Sequence, residues 1–250
     1  MNHFNEIVNK VKKGMLEAYK DTCTFTDNPA EKFGAEYLFT VNVAKEIGRL
    51  NGPDADPFNI KLEHDVRKLA TDCLPLIKRG NPFIKGQTIL RRGTPIIERT
   101  GRVDIAIYCD APALQGHGNI PFCVIELKSF NPTKKPVIAD LQRIAEFIKL
   151  SGPTGKSFLK YGVFSAVHDI KKIDSENNIS KKKESIKNTY EQWISKTSML
   201  DGLDISVDEF TLSKDTEGRL QEDTDGYYID VDAKHCFIGI IITIKSMDAA

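Results

Sequence analysis

FCVIELKSFNPTKKPVIADLQRIAEFIKL (122–150) reads as a strand, a turn and a helix in one run. Phe122 to Lys128 is almost continuously apolar, the pattern of a strand at the centre of a sheet covered on both faces. Asn131 and Pro132 supply the turn. The helix that follows, from about Val137 to Leu150, presents Leu141, Ile144, Ala145 and Ile148 as its core stripe. Tyr161 to Val167 is the next strand, and strand, helix and strand at this spacing predict a right-handed crossover within a mixed sheet.

Working outward, GRVDIAIY (101–108) alternates with period two, and Thr88 to Arg92 and Pro95 to Arg99 read as short strands about Gly93 and Thr94. Three helices are expected before them. The first is amphipathic through Ile7, Val8, Val11 and Met15; the second opens on Asn28, Pro29 and Glu31 and stops near Leu50 at Asn51, Gly52 and Pro53; the third spans about Ile60 to Ile77. A helix from about Lys182 to Ser195 and two C-terminal strands end the chain. The expected fold is α/β, a central mixed β-sheet flanked by helices in one domain (1–250). It comprises a helical N-terminal part (1–80), a catalytic core (86–170) and a C-terminal helix and strands (171–250).

With 250 residues, 40% of them hydrophobic, the chain can bury a substantial core. Formal net charge is zero, so no global excess of base announces a polyanion partner. The charge is nevertheless uneven, since residues 78–102 carry seven bases against one acid and residues 201–232 eleven acids against two bases. Five widely spaced cysteines without a CxxC pair fit a reducing cytoplasm and do not fit a structural zinc site. The N-terminal residues alternate charged and apolar types, unlike a signal peptide. CFIGIIITI (236–244) is the longest apolar run, about half of what a membrane span needs, and reads as a buried strand. A cytoplasmic protein with no membrane association is expected.

Chemistry-bearing residues collect on the two central strands. Asp104 shares a strand face with Ala106 and Tyr108, and Glu126 shares one with Lys128. Two carboxylates and an amine at one sheet edge suit Mg²⁺, with Mn²⁺ as a substitute. The acids ligate by oxygen, and the lysine orients or deprotonates water or steadies developing phosphorane charge. A buried salt bridge between strands is the plainer alternative, but two acids with one base leave surplus negative charge that invites a cation.

Asp104, followed after twenty-one residues by Glu126-Leu127-Lys128, each on an apolar strand, resembles the PD-(D/E)XK, or restriction-endonuclease-like, nuclease superfamily. Val103 stands at the position of the motif's proline. The resemblance implies a restriction-endonuclease-like core and metal-dependent phosphodiester hydrolysis, with DNA endonuclease action first and a role in phage defence or restriction. It also implies a further acid from a preceding helix, for which Glu36 is the candidate as catalytic and metal-binding residue. Glu36 lies on the face of Phe33, Phe39, Val43 and Ile47, with Glu46 at its margin; a peripheral Glu paired with a surface base is the alternative. The polar residue that several branches project from the helix after the catalytic strand falls on Gln142, beside the stripe, with Asp140 and Arg143 on other faces; an exposed helix glutamine is the alternative.

Arg91, Arg92, Arg99 and Arg102 lead into the strand of Asp104 and are the expected nucleic-acid contacts, positioning phosphates rather than reading bases. A homodimer or higher homo-oligomer and a regulatory partner are compatible with the sequence. A non-catalytic binding module on the same fold is the alternative function. SGPTGKS (151–157) lacks the first glycine of a P-loop and reads as a loop, and QEDTDGYYIDVD (221–232) reads as a turn at Asp225-Gly226 between strands rather than a calcium loop.

Overall fold

A computed structural model describes residues 3–26, 36–52, 57–79, 89–92, 95–97, 100–110, 119–171, 176–224 and 226–248. In chain order the elements are helices α1 (His3–Thr26) and α2 (Glu36–Gly48), strand β1 (Phe58–Asp65), helix α3 (Val66–Cys73), and strands β2 (Leu76–Arg79), β3 (Ile89–Arg92), β4 (Arg102–Asp110) and β5 (Asn119–Phe130). Helix α4 (Lys134–Lys149), the short strands β6 (Ser151–Gly152) and β7 (Gly155–Lys156), β8 (Tyr161–Lys171), α5 (Glu176–Ser195), β9 (Leu203–Asp223) and β10 (Gly226–Ser246) follow. Six strands form one mixed sheet in the order β1-β4-β5-β8-β10-β9; β2-β3 and β6-β7 are separate two-stranded pairs. The fold is α/β, with β5 and β8 the parallel pair joined through α4.

Helices cover both faces. Ile105, Ile107, Ile125 and Leu127 pack with Phe39, Val43 and Ile47 of α2 and Ile7, Val11 and Met15 of α1. Ala106, Tyr108 and Val124 pack on the other side with α3 and with Val137, Leu141 and Ile144 of α4. Gly14 lets α1 and α2 meet, because a Cβ there would lie 2.4 Å from the Val43 Cα. In β10 the run 236–244 is buried throughout, the buried strand that its apolar sequence predicts. All five cysteines are free thiols. Among the described residues no helix is long and apolar enough to cross a membrane.

Two expected elements are corrected. The helix expected over 60–77 is instead a strand, a shorter helix and another strand. Phe58 to Leu62 pair antiparallel with Ile105 to Cys109, and the helix starts only where Asp65 caps it by accepting from the Lys68 N–H at 2.9 Å. Strand pairing at a sheet edge outweighs the helical periodicity here, so the N-terminal part is not all-helical. Residues 95–97 form no strand. Asn28, Pro29, Glu31, Pro53, Gly93, Thr94 and Asp225 lie outside the described residues. The C-terminal strands form the expected hairpin, with Gly226 at φ +131°. SGPTGKS folds as the small β6-β7 hairpin.

Candidate active site

Asp104 belongs to neither of the ladders that flank it. The β1-β4 register passes from Leu62↔Ile105 to His64↔Val103, skipping Glu63 opposite Asp104, and Glu63 holds a left-handed φ of +47°. On the other side the β4-β5 ladder ends at Ile105↔Ile125. The Asp104 side chain takes over there, its Oδ2 accepting from the Leu127 N–H at 2.6 Å. Such a carboxylate, fixed by a backbone donor where two strands part, is preorganised by the main chain itself.

Glu126 and Lys128 stand beside it at the end of β5. Glu126, 1% exposed, accepts from Arg143 Nη1 at 2.7 Å, and the same nitrogen donates to the Arg102 carbonyl at 3.0 Å. Lys128 Nζ stands 3.1 Å from Glu36 Oε1 and 3.2 Å from Asp140 Oδ2. Because α2 lies on one face of the sheet and α4 on the other, both layers grip the lysine where β5 ends. Arg143 Nη2 also stands 3.5 Å from Asp140 Oδ1.

Asp140 and Arg143 therefore do not lie away from the site, contrary to the expectation. Asp140 is three residues after Val137 and four before Ile144, inside the apolar stripe, and it is buried. Arg143, three residues further, reaches past it to Glu126. The signal in the sequence is a charged residue within a core stripe.

Four acids (Glu36, Asp104, Glu126, Asp140) thus meet two bases. Burial pushes the Asp104 carboxyl up to about 6, with Glu36 and Asp140 adding to the rise while the Leu127 N–H and Lys128 oppose it. Glu126 is raised well above the usual carboxylate range by burial first, then by Asp104 and Asp140, against the pull of Arg143. For Lys128 burial works against the charge, but Asp140, Glu36 and Asp104 outweigh it and push the amine up to about 12. Such surplus buried negative charge is what a cation would relieve.

Glu36 joins the cluster from α2, exposed rather than on the buried face, and its partner is Lys128 itself. Glu46 is taken up elsewhere. It is buried between the helices with Lys10 at 3.6 Å, Lys13 at 3.2 Å and Arg49. Gln142 lines a shallow groove on the outer side of α4 with Lys134, Lys135, Ile138 and Ala139. Lys134 and Lys135 are exposed and open α4 at the same end of the sheet as Lys128, so they are basic groups beside the site that the sequence reading left out.

Of the expected arginines, exposed Arg102 adjoins the cluster through its carbonyl, and Arg99 lies outside the described residues. Arg91 and Arg92 belong to the backbone of the β2-β3 hairpin, opposite Ile77 and Leu76. That hairpin is rooted at the other end of the sheet. Asp72 of α3 accepts from Tyr108 at 2.9 Å, Cys73 accepts from the Phe158 N–H at 2.8 Å, and Pro75 lies against Gly155, all near the start of β8.

The residues present fit a hard divalent ion in one respect and not in another. Mg²⁺ needs only one or two carboxylates, and Asp104 and Glu126 offer them. Among the described residues, no group of three or more His, Cys, Asp or Glu stands ready to hold a metal, and Glu126 and Asp140 are already paired with Arg143 and Lys128. Comparison with protein-family models, with curated proteins and with solved structures gives no match.

Proposed function

We propose that this chain is a Mg²⁺-dependent phosphodiesterase of the PD-(D/E)XK type with a restriction-endonuclease-like core. Its substrate is DNA, cut internally, and its setting is cytoplasmic phage defence or restriction. The observation that supports this most is the convergence of Asp104, Glu126 and Lys128 where β4 and β5 part, with a surplus of buried acid around them.

Asp104 and Glu126 are the metal-holding pair, Asp104 fixed by the Leu127 N–H and Glu126 by Arg143. Mg²⁺ bound there would supply Lewis-acid charge against a phosphodiester. Lys128 stays protonated at neutral pH because Asp140 and Glu36 hold its charge, so it donates toward the developing phosphorane charge rather than acting as a base. Glu36 and Asp140 position that amine. Arg102, Lys134 and Lys135 would carry the sugar-phosphate backbone past the site. Supercoiled plasmid, linear duplex and single-stranded DNA and RNA, each incubated with Mg²⁺, Mn²⁺ or EDTA, test the reading and sort the substrate. Cleavage of none of them in either metal would end it.

A non-catalytic binding module on the same fold is the second reading. It draws on the ion pairs that already engage Glu126, Lys128 and Asp140, and on the lack of a three-ligand group among the described residues. It predicts nucleic-acid binding that divalent ions leave unchanged.

A further inference from the structure

β9 and β10 are each 21 residues long, yet β8 covers only His235–Lys245 of β10. From Gly226 to Lys234 the partner strand is β9 alone. The two strands therefore leave the sheet as a ribbon about 30 Å long, a form that is marginal in water unless something covers it. Residues 214–234 contain seven acids (Asp215, Glu217, Glu222, Asp223, Asp225, Asp230, Asp232) and three bases, a net of −4.

The β2-β3 hairpin is the complement. It too is two-stranded, outside the main sheet, and its eight strand residues carry Lys78, Arg79, Arg91 and Arg92 with no acid. Ribbon and hairpin cannot easily meet within one chain. The ribbon leaves where β8 ends, at Lys171↔His235, whereas the hairpin is rooted beside Phe158 and Gly155, before β8 begins. The 11 residues of β8 separate the two by about 35 Å.

We infer that the acidic ribbon docks on the basic β2-β3 hairpin of a second copy of this chain. Because the two elements sit at opposite ends of the sheet, a two-fold axis that inverts one copy against the other forms both contacts at once and closes the assembly as a dimer. The zero net charge of the chain sets no global repulsion against it. This interface is independent of the nuclease reading and needs no cleavage to be tested.

Sedimentation velocity of the full chain in EDTA reads the result. The wild type sediments as a dimer of the 28.0 kDa chain at low salt, and raising salt to about 0.5 M weakens the dimer at least about tenfold. Reversing the hairpin (Lys78→Glu, Arg79→Glu, Arg91→Glu, Arg92→Glu) gives monomers, as does reversing the ribbon (Asp215→Lys, Glu217→Lys, Glu222→Lys, Asp230→Lys). Both sets combined restore the dimer, a rescue that misfolded protein would not produce. Replacing residues 215–234 by Asn-Gly, which closes a short hairpin, gives monomers as well. A monomeric wild type at low salt, a dimer that survives either reversal or the ribbon deletion, or failure of the combined set to re-associate would overturn the inference.

Discussion

Arg143 Nη1 and Glu126 Oε1 are 2.7 Å apart, a contact between α4 and the most buried acid of the candidate site. Removing the base leaves a carboxylate with 1% side-chain exposure uncompensated. Arg143→Met should therefore destabilise the metal-free protein by about 3 kcal/mol, a loss that corresponds to a fall in melting temperature of several degrees. Adding Glu126→Gln should recover most of that loss, since the pair is then neutral. A single variant as stable as wild type in urea unfolding would show that Arg143 does not hold Glu126.

Surplus acid at the site should cost stability until a cation arrives. Asp104→Asn keeps an acceptor for the Leu127 N–H and removes one buried charge. It should melt higher than wild type in EDTA. Conversely, Mg²⁺ or Mn²⁺ should raise the melting temperature of wild type and leave that of the variant unchanged. Equal metal responses in the two proteins would count against Asp104 as a ligand.

Gly14 sets how closely α1 approaches α2, the helix that delivers Glu36 to Lys128. A Cβ there would press on the Val43 backbone at 2.4 Å, so Gly14→Ala should cost about 1–3 kcal/mol. Chemical denaturation measures it. A neutral or stabilising substitution would mean that the helices are not in this contact.

His168 provides a pH signature outside the site. Burial holds its imidazole down at about 4, and its Nε2 pairs with the Tyr190 hydroxyl at 2.9 Å. The unfolded chain takes up this proton near pH 6.5 and the folded chain only near 4. The contribution of His168 is thus fully present above about pH 6.5 and is lost as pH falls through that window, on the order of 3 kcal/mol in all. Stability differences between wild type and His168→Gln, followed from pH 7 to 4, should show that slope. A constant difference would contradict it.

Strand alternation made Asp104, Glu126 and Lys128 legible, because inward and outward positions in β4 and β5 are fixed by the apolar residues between them. Glu36 is legible as a helix acid but for a different reason from the one the structure supplies, since it is exposed and faces Lys128. Asp140 and Arg143 are not legible from the apolar stripe of α4, because the burial of Asp140 depends on its tertiary pairing with Lys128 and Arg143. β1 was missed because its neighbours 66–73 do form a helix, and only pairing with β4 decides where that helix begins. The position of Arg91 and Arg92 depends on where β2-β3 is rooted, a tertiary fact that no local pattern carries.

The rate of Mg²⁺-dependent plasmid nicking, compared between wild type and Lys128→Ala, tests the central claim most directly. Lys128 carries its charge where β5 ends, beside Asp104 and Glu126, so its loss should slow cleavage by about 10²–10⁴-fold while the fold survives. Undiminished nicking by Lys128→Ala, or the same low nicking by wild type with and without metal, would contradict it.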